Sequence, residues 1–279
     1  MAEMTKKLHF LKNGTEQTAK AYSTTAEAGS SYITNVIDNT TCYIPIGSNS
    51  DSRATAGRVS KNGTTYAIFS TGKPVYTEKS YTTPGTYTFT VPKGITRIRV
   101  AVCGGGGGAA TTADDDNDSH DYSGGRGGTS SFGNISATGG YGGRAHLIYG
   151  GESGFSAMGS GGSGGSPNGK SGGSYNKVGS GNGTAVGGDG FALGFNASSG
   201  NYGKGSSVGS SGNSSDAIAS GGGGSGGYIT AYVDTTVGTT YSITVGALGS
   251  NVCSYWEGNS YSWTNGSPGF VLIAYGGDI

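Results

Sequence analysis

Glycine constrains this chain more than any other residue, and it is unevenly spread. Positions before 104 hold 8 of the 59 glycines, and the other 51 fall between Gly104 and Gly277. An ordinary domain uses about 7% glycine. Glycine also loses more backbone freedom on folding than any other residue, so such a stretch first reads as a tether. Its other residues argue against that. Phe132, Tyr141, Leu147, Phe155, Met158 and Phe191 interrupt it, and a flexible Gly/Ser linker has no use for large apolar side chains. Runs such as Gly161-Gly162-Ser163-Gly164-Gly165-Ser166 can instead form polyproline-II-like helices, with three residues per turn and faces bare enough to approach closely. Numerous weak Cα–H···O contacts would accompany that approach. Ordering so much glycine is entropically costly, so it needs dense backbone pairing and help from flanking strands.

Such strands are readable at both ends of the block. Tyr87, Phe89 and Val91 share one face of a strand starting at Gly85, by the two-residue period of β-structure. Lys93-Gly94 turns the chain, and a second strand through Ile95, Ile98, Val100 and Val102 runs directly into Gly104. Beyond the block, residues 226–233, 240–245 and 269–275 supply three more. Ahead of it, Leu8 to Gly72 alternates β-branched and aromatic runs with turn signals. Asn62-Gly63 predicts a hairpin joining Arg58–Lys61 to Thr64–Ile68, and Asn13-Gly14 one joining Leu8–Lys12 to Thr15–Tyr22. Residues 72–84 read as a Pro-containing connector. The expected fold is therefore mostly β plus irregular structure: a small N-terminal β module over 1–80, and a glycine-rich domain over 81–279 built of polyproline-II-like glycine helices framed by β-strands.

Composition removes several classes of function. Lys+Arg and Asp+Glu both number 17, so net charge gives no reason to expect nucleic acid or an anionic membrane as partner. The longest apolar run, Phe270 to Tyr275, falls far short of the roughly 20 residues of a membrane-spanning helix. Residues 1–10 are charged and lack the apolar core of a secretory signal, which implies synthesis in a cytoplasm. Cys42, Cys103 and Cys253 form an odd set without metal-type spacing and read as semi-buried free thiols.

Catalytic patterns fare no better. Residues 161–165 and 223–227 both satisfy Gly-x-Ser-x-Gly, but neither sits on a strand-to-helix turn, and no Gly-Lys-Ser/Thr ending makes a phosphate loop. The reading is no enzyme and no cofactor. Asp114 to Asp121 concentrates acidic oxygen, yet it lacks the internal glycine and the terminal bidentate Glu of an EF-hand. It is read as a solvated or recognition loop with no metal. Aromatic loops are the leading contact candidates, because Tyr and Trp give large contact area at low entropy cost beside adaptable Ser, Asn and Gly. Tyr255, Trp256, Tyr261 and Trp263 form the densest group; His120, Tyr122, Tyr149, Phe155, Tyr175, Phe191 and Tyr202 are secondary. The opposing reading is that these rings cap the scaffold's own core or a subunit interface.

Particular strings add a resemblance. Thr83-Pro84-Gly85-Thr86-Tyr87 through Val91, then Ile98-Arg99-Val100-Ala101-Val102-Cys103 followed by five glycines, resemble the glycine-rich domain of phage tail-fibre adhesins. So do residues 127–133, 136–140, 226–228, 241–246 and 267–271, in that order. The resemblance covers about residues 80–279. It implies a receptor-binding tip of a virion or phage-tail-like particle, recognising a bacterial surface glycan or outer surface protein through distal loops. It also implies partner subunits of the fibre. A purely structural fibre or baseplate component is the alternative. No heptad or Gly-X-Y period is visible, which leaves monomer and homotrimer both open.

Overall fold

The computed structural model describes residues 74–114, 118–149, 155–178, 181–212, 217–255 and 260–277, together with the backbone of six strands ahead of residue 71. The regular elements of the described residues are β-strands. No helix among them is long and apolar enough to cross a membrane. The chain divides into two units, Met1–Val75 and Tyr76–Ile279.

In the first unit, β1 (Glu3–Lys12), β2 (Thr15–Tyr22), β5 (Ala56–Lys61) and β6 (Thr64–Ser70) form one sheet in the order β2-β1-β5-β6. A separate hairpin joins β3 (Tyr32–Ile37) to β4 (Thr40–Pro45). Both hairpins expected from Asn-Gly are formed, closing at Lys12↔Thr15 and Lys61↔Thr64. The Asn-Gly pairs themselves lie outside the described residues.

The second unit is threaded back and forth between two ends. The chain starts in a sandwich with β7 (Thr77–Tyr81), β8 (Gly85–Thr90) and β9 (Arg97–Cys103). Run 104–109 carries it to the far end, β10 (Ala110–Asp114) and β11 (His120–Ser123), and run 124–129 returns to β12 (Ser130–Phe132) and β13 (Ile135–Ala137). Run 138–143 leads out to β14 (Arg144–Tyr149) and β15 (Phe155–Ser160). Run 161–165 comes back to a turn at 166–168, and run 169–173 goes out to β16 (Ser174–Val178) and β17 (Gly181–Ala185). Run 186–189 returns to the short pair β18 (Gly190–Phe191) and β19 (Ser199–Gly200), and run 203–206 leaves for β20 (Ser207–Gly212) and β21 (Ala217–Gly221). Run 222–227 returns to β22 (Tyr228–Asp234) and β23 (Thr240–Val245), and run 246–251 goes out to β24 (Val252–Tyr255) and β25 (Ser260–Thr264). Run 265–269 finally reaches β26 (Phe270–Tyr275).

The sandwich pairs sheet β22-β9-β26-β7 with sheet β13-β12-β23-β8. Between them Phe89, Val91, Ile98, Val100, Val102, Phe132, Ile243, Val245, Val271 and Ile273 are buried, each large side chain contributing about 1.5–3 kcal/mol. The segment read as a connector contains β7, which pairs along β26 from Val271↔Tyr81 to Tyr275↔Thr77. Strand β26 is apolar on both faces. Its Phe270 and Leu272 pack with Ala101, Cys103, Phe191 and Tyr228, where the β18–β19 hairpin covers the sheet. A near-continuous apolar strand of this kind is what burial on both faces requires.

The runs between the two ends are bonded to one another chiefly backbone to backbone, with a few hydroxyls, such as those of Ser225 and Ser267, accepting from neighbouring N–H groups. Gly104, Gly105 and Gly106 donate to the carbonyls of Gly227, Gly128 and Ser267; Gly107 and Gly108 then return to the first two runs, at Gly224 and Gly125. In run 222–227, Gly222, Gly223 and Gly224 donate to Gly173, Ser206 and Tyr141. Ser225, Gly226 and Gly227 repeat the same three runs in the same order at Lys170, Gly203 and Thr138. Apart from Ser225, whose hydroxyl accepts from the Lys170 N–H, this run carries no side chain, because none fits. A Cβ on Gly222, Gly223 or Gly224 would overlap the carbonyl oxygen of Val186, Gly107 or Ser163.

Candidate binding surface

The far end is built from three stacked sheets of small residues. The middle sheet has the order β16-β21-β10-β24, with β10 and β24 parallel. Sheet β11-β14-β15 lies on one side of it, over Ala110, Ala145, Leu147, Ala217 and Ala219. Sheet β17-β20-β25 lies on the other, over Ala109, Ala185 and Val208. Between the middle and third sheets the hydroxyls of Thr111, Ser210 and Ser220 form a closed triangle, with oxygens 2.7–3.0 Å apart. Five connections leave this end, those between β10 and β11, β14 and β15, β16 and β17, β20 and β21, and β24 and β25.

Most of the rings expected to make contact are carried by these far-end strands. His120 and Tyr122 stack on β11, with centroids 6.1 Å apart, and Tyr122 also packs on the first apolar cluster. Tyr149 closes β14 and is half-buried, its backbone N–H donating to Ser119 Oγ at 3.1 Å. The backbone of Phe155 lies opposite Tyr149, and that of Tyr255 opposite Ala113; the side chains of both lie outside the described residues, as does the whole of Trp256. Tyr175 and Trp263 are partly buried against Ala185 and Val208. Tyr261 is 44% exposed and leans on Trp263 at 5.4 Å between centroids.

Two rings are placed elsewhere. Phe191 is buried at 3% exposure, stacked 4.9 Å from Tyr228, and Tyr202 meets Phe270 edge-on at 5.3 Å. Both belong to the covering of β26 at the sandwich end. The two ends of the acidic segment lie in strands. Asp114 ends β10, and His120 and Asp121 begin β11; residues 115–117 lie outside the described residues. Arg144 Nε donates to Asp121 at 2.7 Å, and Arg144 holds the Asp121 carboxyl below the usual carboxylate range.

Several surface features were not anticipated from sequence. Ile148 and Met158 are exposed on the outer face of β14–β15, a face that the alternation Arg144-Ala145-His146-Leu147 could have revealed. Arg126 lies over the Tyr141 ring at 4.2 Å. Burial pushes the Cys103 thiol up to about 12, which leaves it unreactive at neutral pH. Among the described residues no group of three or more His, Cys, Asp or Glu is placed to hold a metal ion.

No protein-family model matches the chain, and the search of curated proteins found no significant match.

Proposed function

We propose that residues 76–279 are the receptor-binding tip of a phage tail fibre or phage-tail-like particle, acting without catalysis on a bacterial surface receptor. In this reading the runs between the two ends are polyproline-II-type glycine helices. The three-residue recurrence of donors along 104–108 and 222–227 supports that form, since a helix with three residues per turn points successive N–H groups at three neighbours in rotation. Run 222–227 then has six neighbours: three that accept its hydrogen bonds and three whose carbonyls press on its bare faces.

One observation carries the functional reading: the threading brings five strand connections, and the strands bearing His120, Tyr122, Tyr149, Phe155, Tyr175, Tyr255, Tyr261 and Trp263, to one end of a backbone-bonded block. Contacts held rigid before binding lose less entropy on association, so affinity concentrates in a few aromatic anchors. The resemblance to tail-fibre adhesins, with the expected cytoplasmic synthesis and assembly into a virion beside other fibre subunits, belongs to the same proposal. A structural fibre component is the second reading, favoured by the inward packing of Tyr122, Tyr175 and Trp263.

Adsorption of the fluorescently labelled full chain to a panel of bacteria separates the two. On a strain that binds the protein, Tyr149→Ala, Trp256→Ala and Tyr261→Ala together should reduce adsorption at least about tenfold, a loss of about 1.4 kcal/mol, with the melting temperature unchanged. Adsorption to no strain, or equal adsorption of the variant, leaves the structural reading standing.

A further inference from the structure

The third far-end sheet, β17-β20-β25, shows two unlike faces. Alternate residues point opposite ways along a strand, and the register places Asn182 opposite Ser211 and Thr184 opposite Gly209. On the other side Ser211 faces Ser260 and Gly209 faces Ser262. These six therefore share the face turned away from buried Ala185, Val208 and Ser210. They form two rows across the sheet, Asn182–Ser211–Ser260 and Thr184–Gly209–Ser262. The missing side chain at Gly209 leaves the floor of an open depression of about 430 Å³. A Cβ at Gly209 would stand 3.0 Å from Ser262 Oγ and 3.8 Å from Thr184 Oγ1, so the hydroxyls on either side converge on that floor. Tyr261, on the edge strand, pairs with Ser210, and its ring leans on Trp263 on the opposite face.

We infer that this trough is a binding site for a neutral saccharide. Its wall groups are hydroxyls and an amide, each able both to donate and to accept, as are the vicinal hydroxyls of a sugar. None of the six carries a charge, so a polyanion finds no counter-charge there. None is a large apolar group either, so a protein partner would lack the buried anchor on which such interfaces depend. The depression lies within the about 300–1,000 Å³ of small-ligand sites. The inference rests on the tip reading and narrows its two receptor classes to a glycan.

The test is a titration of the ¹⁵N-labelled full chain with purified neutral oligosaccharides, disaccharide to hexasaccharide, built from glucose, galactose, mannose, rhamnose and N-acetylglucosamine. At least one should bind saturably, shifting the amides of Asn182, Thr184, Gly209, Ser260 and Ser262. Asn182→Ala and Thr184→Val, both exposed and compatible with folding, should each weaken that binding about tenfold or more. Gly209→Val, which fills the floor, should abolish it. Binding by none of the sugars, or shifts confined to other surfaces, overturns the inference. The same variants are then compared in bacterial adsorption. Adsorption without sugar binding, undiminished by the trough variants, sinks the saccharide site and spares the tip. Sugar binding without adsorption spares the site and sinks the tip.

Discussion

The sandwich and the glycine block of the second unit are solid for opposite reasons. In the sandwich, Phe89, Ile98, Phe132 and Ile273 hold two sheets together by burying side chains, and the backbone pairs only within each sheet. In the block, runs such as 222–227 donate hydrogen bonds to three neighbours and accept them from three more, and their glycine positions leave no room for a side chain. Burial of apolar surface is forgiving in shape, because side chains repack. Carbonyls in contact with bare Cα atoms leave nothing to move except backbone. The sandwich should therefore tolerate substitution better than the block, although the block contains almost no large apolar group.

Gly226→Ala is the most direct attempt to break that contrast. Its Cβ would overlap the Gly104 carbonyl, while its own N–H is bonded to Gly203 at 2.7 Å. The expected outcome is loss of more than about 4 kcal/mol, read as failure to fold or a collapse of the denaturation midpoint. Gly194→Ala, where a Cβ meets nothing within 4 Å, is the matched control and should be near neutral. Phe132→Ala in the sandwich should cost less, about 3–5 kcal/mol by cavity formation, with a cooperative transition retained. If Gly226→Ala is milder than Phe132→Ala, backbone contact does not limit the block.

The same contrast explains what could be read from the sequence. The sandwich strands were legible because Tyr87, Phe89 and Val91, and then Ile98, Val100 and Val102, alternate large apolar groups at period two. The far-end strands were not. Gly181–Ala185 and Ser207–Gly212 contain almost nothing large enough to show a period, and their pairing depends on which glycine runs deliver them side by side. That the rings interrupting glycine serve as packing anchors was legible in kind, since they had to be placed somewhere. It was not legible in direction: Phe191 and Tyr202 turned to cover β26, as the unbroken apolar run Phe270–Ala274 required. The polar trough left no sequence signal, because Asn182, Gly209 and Ser262 look like any other loop residues until register aligns them.

Neighbouring residues on β10 sharpen the contrast at a smaller scale. Thr111 and Thr112 are both fully buried. The Thr111 hydroxyl is paired with Ser210 and Ser220, whereas Thr112 Oγ1 has no hydrogen-bond partner among the described residues. The shape-conserving change to Val should act with opposite signs. Thr111→Val leaves two buried serines short of a partner and should cost about 1–2 kcal/mol, while Thr112→Val removes a desolvated hydroxyl and should stabilise by about 0.5–1 kcal/mol. Urea midpoints at constant slope measure both. Equal effects would mean that the far end is not held by its internal hydroxyls.

The smallest expected effect is electrostatic and belongs to the far end's rim. Arg144 holds the Asp121 carboxyl below its ordinary range, chiefly through their hydrogen bond, with both side chains about half exposed at 52% and 48%. A carboxyl depressed in the folded state stabilises that state above its unfolded pKa of about 3.9, and the contribution disappears as pH falls through the lower folded value. Solvent screens an exposed pair, so the contribution is slight at neutral pH. Asp121→Asn should leave the melting temperature near pH 7 almost unchanged and flatten its decline below about pH 4. Salt should erase the difference between the two proteins. A decline identical in wild type and variant at low salt would mean that the ion pair adds nothing, and that sheet β11-β14-β15, like the glycine block, owes its order to backbone and small side chains alone.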